Sequence, residues 1–152
     1  MTAVLQRVSH ASCTVAGETI GQCGCGLLIL LGVRSGDDEE DARLLAEKIA
    51  KLRIFSDESG RMNRSVNEIG GSALVISQFT LLANYAHGNR PDFFSSEKPE
   101  RAKELYEQFA SLLRQRMVSG QVETGRFGAD MQIELVNDGP VTIVLESAVL
   151  RK

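Results

Sequence analysis

The chain has 152 residues, 43% of them hydrophobic and 24% charged, the balance of a single domain large enough to bury a real core. Its net charge of −3 argues against a non-specific nucleic-acid coat, which needs a basic surface. The longest apolar run, Leu27 to Leu31, is far too short to cross a bilayer. Residues 1–5 run into Gln6 and Arg7 without a signal-peptide pattern. One domain over residues 1–152, cytoplasmic and without a membrane or DNA partner, is therefore expected. A local basic patch would form only if the fold gathers Arg53, Arg61, Arg64, Arg90 and Arg126.

Val4 to Val15 reads as a strand with neither face purely apolar. Ala16-Gly17-Glu18 is a turn, and Thr19 to Cys23 is a short return strand, giving a hairpin. Gly24 and Gly26 bracket the next turn. Leu27 to Val33 is a continuous apolar run bounded by glycines, the pattern of a central strand. In the acidic stretch from Ser35 to Asp41, Asp37 and Glu40 fit a capping box, and carboxylates favour a helix N-terminus. Ala42, Leu45, Ile49 and Leu52 then recur at helical spacing, with Lys48, Lys51 and Arg53 towards the end. This predicts an amphipathic helix lying on a sheet.

Ile54 to Asn63 reads as a strand end followed by a turn. Gly70-Gly71 opens a run through Ala73, Leu74, Val75 and Ile76 that is apolar on both faces, as in a buried strand. Ser77, Gln78 and Thr80 then stand where the apolar run should continue. Buried polar side chains must find partners, and the polar end of a buried strand is a common place for a ligand site. The same residues would equally serve to cap the strand and turn the chain. The irregular stretch Ala83 to Phe94 carries Arg90, Pro91, Phe93 and Phe94, and phenylalanines in such a loop pack back on a core or wall a pocket.

Pro99 suits the first helical position. Ala102, Leu105, Tyr106, Phe109, Leu112 and Leu113 mark a second amphipathic helix to about Met117, which Gly120 ends. Val122 to Phe127, Met131 to Val136 and Val141 to Glu146 are strands, and Asn137-Asp138-Gly139-Pro140 is a turn signal between the last two. Two main helices and about seven strands predict a mixed, strand-rich α/β domain, its sheets rich in antiparallel pairs and its helices packed outside.

The chemistry these residues allow is narrow. Three cysteines and no Cys-x-x-Cys argue against a disulfide framework. His10, Cys13, Cys23 and Cys25 match no structural-zinc spacing, so no metal is expected and the cysteines read as small buried residues. Ser77 or Thr80 as nucleophile would need a base in reach. His10 and His87 are the only imidazoles, and neither spacing matches a known triad order. There is no Gly-x-Ser-x-Gly elbow and no phosphate-binding glycine loop. By composition alone Gly139-Pro140 is an ordinary trans bond, since only about 5–6% of X-Pro bonds are cis.

These stretches together resemble the D-aminoacyl-tRNA deacylase family, also called D-tyrosyl-tRNA(Tyr) deacylases. Ser77-Gln78-Phe79-Thr80-Leu81 looks like its first signature and Asn137-Asp138-Gly139-Pro140-Val141-Thr142 like its second. Gly26 to Val33, Arg53 to Asp57, Gly60 to Asn63, Arg90-Pro91-x-Phe93 and Thr124-Gly125-x-Phe127-Gly128-Ala129-x-Met131 extend the resemblance over nearly the whole chain. Asp92 departs from it, standing where a small polar residue is expected.

The resemblance implies a cofactor-free homodimer that hydrolyses the ester between a D-amino acid and the 3′ end of tRNA, and that also removes glycine mischarged onto alanine tRNA. It implies that Gly139-Pro140 is cis and enters the site of the opposite subunit. There, main-chain oxygens would hold the substrate ammonium and leave no room for an L side chain, a rejection that glycine escapes. It further implies that the 2′-hydroxyl of the terminal adenosine helps activate water, which fits the missing general base. The amides of Phe79 and Thr80 would then hold the ester carbonyl, Ser77 and Gln78 would shape the pocket and hold the adenosine, and Phe93 and Met131 would wall it. The competing readings are a tRNA-end or metabolite-binding module without turnover, and a general small-ester hydrolase.

Overall fold

A computed structural model describes all of residues 1–152. The sheet grows from one long strand, β1 (Thr2–Val15). Along one edge its far half pairs with β2 (Glu18–Cys23) and its near half with β3 (Gly26–Gly32), both antiparallel. β3 pairs in parallel with β6 (Ser72–Ser77), and β6 in parallel with β7 (Val122–Thr124). On its other edge β1 carries β8 (Gln132–Glu146) from Thr2 to Thr14. β2 and β7 share no ladder, yet they meet. A Cβ on Gly21 would lie 2.5 Å from the Thr124 carbonyl oxygen, and the Gln22 amide donates to Glu123 Oε1 at 3.3 Å. The sheet is thereby nearly closed into a barrel. The parallel pair also starts at a close approach. Gly26 has φ +157°, and a Cβ there would stand 1.8 Å from the Ser72 carbonyl oxygen.

The two faces of β6 serve two cores, which is why its sequence shows no alternation. Ala73 and Val75 join the larger cluster beneath the helices, whereas Leu74 and Ile76 point into the barrel with Val8, Ala11, Cys13, Cys23 and Leu28. The helices α1 (Glu39–Lys51) and α2 (Pro99–Arg116) cover the outer face. The expected α/β architecture is the one observed, with eight strands and a short C-terminal helix α3 (Ser147–Leu150). No helix is long and apolar enough to cross a membrane.

Three local expectations are corrected. The capping box of α1 is formed by Asp38 and Asp41 rather than by Asp37 and Glu40. Asp37 is taken up elsewhere, accepting from the Arg34 amide and pairing with the Met1 ammonium at 2.8 Å. Residues 62–64 form a short strand β5, paired with β4 (Phe55–Ser56), where only a turn was expected. Most consequentially, Met131 to Val136 and Val141 to Glu146 are not two strands joined by a turn. Both lie on the same neighbour, β1, with Gln132 opposite Thr14 and Glu146 opposite Thr2, so the chain runs straight on. The turn residues are extruded between them as a bulge, because Val8 pairs with Asn137 while Gln6 pairs with Thr142.

Asp41 is only 4% exposed and ties α1 to the C-terminus. Burial alone would raise its pKa. The Arg151 guanidinium, the Asp38 amide, Ser147 and the N-terminal ammonium outweigh burial and hold the carboxyl well below the usual carboxylate range. Such a carboxylate contributes stability in full above its unfolded pKa near 4 and loses it as pH falls towards its lowered folded value. Asp41→Asn is expected to cost about 1–3 kcal/mol at pH 7 and to flatten the acid limb of stability. Urea melts at pH 7 and at about pH 3 would show the two proteins converging at the lower pH.

Candidate active site

β6 ends at Ser77, and the chain turns at once into a 3-10 helix, Phe79–Leu82. Thr80 therefore sits in a turn, not on the strand. The Gln78 amide still follows the sheet, donating to the Leu31 carbonyl at 2.8 Å. The first amides of such a turn have no acceptor inside it, and the Gln78 side chain does not cap them. It donates instead to Thr80 Oγ1. The Phe79 and Thr80 amides are also absent from the bonds that tie the loops together. Two adjacent N–H groups are thus presented at the end of a buried strand.

The turn is held on three sides. Gly32, at the end of β3, lets it lie down: a Cβ there would stand 3.1 Å from the Gln78 carbonyl oxygen and 3.4 Å from Leu81 Cβ. Ser96 donates to the Phe79 carbonyl at 3.4 Å, and Leu82 is buried beneath. Phe79 is 56% exposed, and its ring meets Phe93 edge to face, with centroids 5.0 Å apart. Phe93 thus stands beside the turn, whereas Phe94 points to solvent at 90% exposure. Asp92 is used within its loop, accepting from Asn84 Nδ2 and the Phe94 amide.

On the other flank, the Gly125 amide donates to the Val75 carbonyl. The same carbonyl takes the Tyr106 hydroxyl at 2.9 Å, which anchors α2 to the site strand. Burial outweighs the hydrogen bonds that favour the phenolate and pushes the Tyr106 pKa up to about 12. A Cβ on Gly125 would lie 2.7 Å from Met131 Sδ and 3.0 Å from Ile76 Cδ1, so this glycine sets where Met131 stands. Gly125→Ala would push the flexible thioether rather than the backbone. The fold should lose only about 1–2 kcal/mol, while KM for the substrate rises several-fold. Initial rates beside a thermal melt would show that split.

The bulge of β8 is a built loop. The Asn137 side chain accepts from the Val141 amide at 2.8 Å and donates to the Val141 carbonyl and Thr142 Oγ1, both at 3.2 Å. Arg7, whose side chain is 11% exposed, donates from Nε to the Asp138 carbonyl and from Nη1 to the Ile54 carbonyl, both at 2.8 Å. The Gly139–Pro140 bond is cis. Gly139 has φ +155°, and a Cβ there would meet the Val141 nitrogen at 2.6 Å.

Within one chain the two motifs do not meet. β1 and β3 lie between β8 and β6, and the register separates the motifs along the strands as well. Asn137 is level with Val8, Gly26 and Ser72, at the start of β6, whereas Ser77 lies at its other end, opposite Leu31. The histidines offer no base at the strand end: His10 faces solvent on β1 and His87 lies in an exposed loop. Cys13 and Cys23 are buried; burial pushes the Cys13 thiol up and the Cys23 thiol up to about 11. With exposed Cys25 and His10 they form no metal-binding group. Arg7, Asn137, Gly32 and Gly125 were missed as functional parts by sequence reasoning. For Asn137, Gly32 and Gly125 the only signal was membership of the quoted stretches, and Arg7 carried none.

Known proteins are similar to this chain in sequence and in fold. A family model described as D-Tyr-tRNA(Tyr) deacylase matches residues 4–146. Relatives named D-aminoacyl-tRNA deacylase include one from Roseiflexus sp. (strain RS-1), 59% identical over 100% of this chain and 97% of its own length. Another, from Ruegeria pomeroyi, is 58% identical over 96% of this chain and 99% of its own length. Among solved structures, one named c-Myc DNA Unwinding Element Binding Protein superposes with a TM-score of 0.90 at 42% identity, covering 96% of this chain and 98% of that one. A second, described as a probable eukaryotic D-amino acid tRNA deacylase, shares the fold with a TM-score of 0.82 at 17% identity, covering 95% of this chain and 99% of that one. With its strand-end turn and its β8 bulge both inside the matched range, this chain belongs to the D-Tyr-tRNA(Tyr) deacylase family, whose members are hydrolases that release D-amino acids from tRNA.

Proposed function

We propose that the chain works in the cytoplasm as a homodimer, and that each strand end Ser77–Thr80 is completed by Gly139-Pro140 of the second subunit. The D-aminoacyl ester of the tRNA 3′ end lies over the turn. The Phe79 and Thr80 amides donate to the ester carbonyl oxygen and to the oxyanion that develops from it. Water, activated with the help of the terminal 2′-hydroxyl, attacks the carbonyl carbon. The bond to the ribose 3′-oxygen breaks, the 3′-hydroxyl regains a proton, and the amino acid leaves as its carboxylate. Ser77 and Gln78 shape the floor and hold the adenosine, and Phe93 and Met131 stand as walls. The partner's loop binds the substrate ammonium through main-chain oxygens and occupies the space an L side chain would need. Glycine has no side chain to exclude, so glycyl-tRNA(Ala) is also cleaved.

The observation that carries this reading is the presentation of two uncapped amides with no imidazole base beside them. Completion in trans is supported by the register, which sets the Gly139-Pro140 loop far from its own strand end. It is supported too by the second edge of β8, which is unpaired along a 15-residue strand and carries half-exposed Val136 and exposed Val144. A long open edge with apolar side chains calls for a partner.

Release of tyrosine from D- and L-tyrosyl-tRNA tests the function. The wild-type protein should cleave the D ester and spare the L ester. Thr80→Ala should keep activity within about tenfold, since a positioning hydroxyl contributes far less than a nucleophile. Loss to the uncatalysed rate would return Thr80 to the role of nucleophile. Absence of release by the wild type would favour a binding module, and equal cleavage of both esters a general esterase.

A further inference from the structure

The parallel strands β3, β6 and β7 all send their C-terminal ends to the same edge of the sheet. β6, in the middle, delivers Ser77 to Thr80. β3 delivers Arg34 on one side, and the segment after β7 delivers Arg126 on the other. Both residues are exposed. Neither guanidinium is in an ion pair. Arg7, Arg43, Arg64, Arg101, Arg116 and Arg151 each meet a carboxylate, while Arg53, Arg61, Arg90 and Arg114, like Arg34 and Arg126, do not. What sets Arg34 and Arg126 apart is their place at the ends of the strands flanking β6.

Both are fixed to the site through their backbones. Arg34 forms a bridge with Ser96, the residue whose hydroxyl holds the Phe79 carbonyl. Arg126 follows Gly125, which is bonded to Val75 of the site strand. Neighbouring strands lie about 4.8 Å apart, so the two backbones are separated by roughly 10 Å with the candidate site between them. Carboxylates near Arg34 are turned to main-chain donors. Asp37 accepts from the Arg34 amide, and Glu97 accepts from the Gly36 and Lys98 amides. Two acidic side chains lie close in sequence to Arg126: Glu123 is turned to the Gln22 amide, and Asp130 is exposed and in no ion pair.

The basic patch envisaged from sequence is meanwhile split. Arg53 and Arg64 line a depression with Asp57, Glu58 and Glu68 near the β4–β5 hairpin, and Arg64 pairs with Glu58 there. That group holds three carboxylates to two guanidinium groups, Arg61 is exposed on the β4–β5 hairpin and Arg90 in the loop before Phe93, whereas Arg126 stands at the strand end.

We propose that Arg34 and Arg126 form a two-sided cradle for the phosphodiesters of the tRNA 3′ single strand. This rests on the reading of Ser77–Thr80 as the deacylation site. It explains how a chain of net charge −3 engages a polyanion: the charge is acidic in sum but cationic at the strand end. The two cations act through the nucleic acid and do not touch the reacting ester.

Two substrates separate the cradle from the site. D-tyrosyl-tRNA carries the phosphates, and 3′-D-tyrosyl-adenosine carries the ester without them. Arg34→Gln and Arg126→Gln should each raise KM for D-tyrosyl-tRNA several-fold at low salt, and the double variant by tenfold or more. The slope of log kcat/KM against log salt should become shallower by about 0.7 for each arginine removed, the value for single-strand counterion release. Cleavage of D-tyrosyl-adenosine should be unchanged. A matched loss of charge on α1, Lys48→Gln with Lys51→Gln, should alter neither. The cradle is overturned if the double variant keeps the wild-type KM and salt slope on tRNA. It is equally overturned if both substrates lose activity alike, which would place the arginines at the ester or in the fold. A wild-type protein that cleaves D-tyrosyl-adenosine while the tRNA arm is unaffected by the variants leaves the site standing and removes the cradle alone. No release from either substrate by the wild type removes both.

Discussion

Gly32→Val is expected to lower kcat for D-tyrosyl-tRNA by about 10²-fold while the protein still folds. Two branches on Cβ would be driven into the Gln78 carbonyl and Leu81, which already stand 3.1 and 3.4 Å from the position of a Cβ. Gln78 and Leu81 cannot retreat freely, since Leu82 below is buried and the Gln78 amide is bonded to Leu31. The turn would shift as a unit, moving the Phe79 and Thr80 amides by a fraction of an ångström to an ångström. Displacements of that size cost on the order of 10²-fold when catalysis depends on fixed geometry. The stability cost should be about 1–3 kcal/mol, typical of overpacking. Gly32→Ala, with a single methyl, should fall between the two proteins. Pre-steady-state rates and a cooperative melt would distinguish a displaced turn from an unfolded protein.

Arg7→Ala is expected to strike the other half of the proposed site. One guanidinium spans two carbonyls, Asp138 on the bulge and Ile54 before β4, and its side chain is 11% exposed. Removing it leaves both carbonyls without that donor and frees the loop that carries Gly139 and Pro140. The loss of two charge-assisted bonds should cost about 2–4 kcal/mol of stability. The functional mark is different from that of Gly32→Val. D-ester cleavage should fall by tenfold or more, and the ratio of D to L cleavage should fall with it, because a loose loop would lose its proposed roles of holding the ammonium and filling the space denied to L side chains. Arg7→Lys should recover little, since a single ammonium cannot match the fork that reaches both carbonyls at once. Paired assays on D- and L-tyrosyl-tRNA would read the ratio.

What the sequence disclosed and what it hid follow from the range of the interactions. Val75 and Ile76 announced a strand buried on both faces, and the helices over 39–51 and 99–116 announced themselves by period. Those signals are local. The continuity of β8 is not: Asn137 to Pro140 has the chemistry of a turn, and only pairing of both flanks with one 14-residue strand turns it into a bulge. Asp38 displaced Asp37 as the cap because Asp37 was claimed by Arg34 and the N-terminal ammonium, contacts made outside the helix. Arg7 looked like one charge in an alternating strand, yet its partner Asp138 is 131 residues away. Ser77 to Thr80 was legible as an anomaly, but the parts proposed to meet a substrate are backbone amides, which no side-chain pattern marks.

The proposed completion of one subunit's strand end by the other's loop is tested most directly by mixing damaged subunits. Gly32→Val spoils the strand end and leaves the loop; Arg7→Ala spoils the loop and leaves the strand end. After subunit exchange, half of the dimers are mixed, and in each of these one of the two sites has both parts intact. Activity on D-tyrosyl-tRNA should therefore rise from the low level of either variant alone to about a quarter of the wild type. A mixture that stays at the average of the two variants, although exchange is demonstrated, would contradict a site shared between chains.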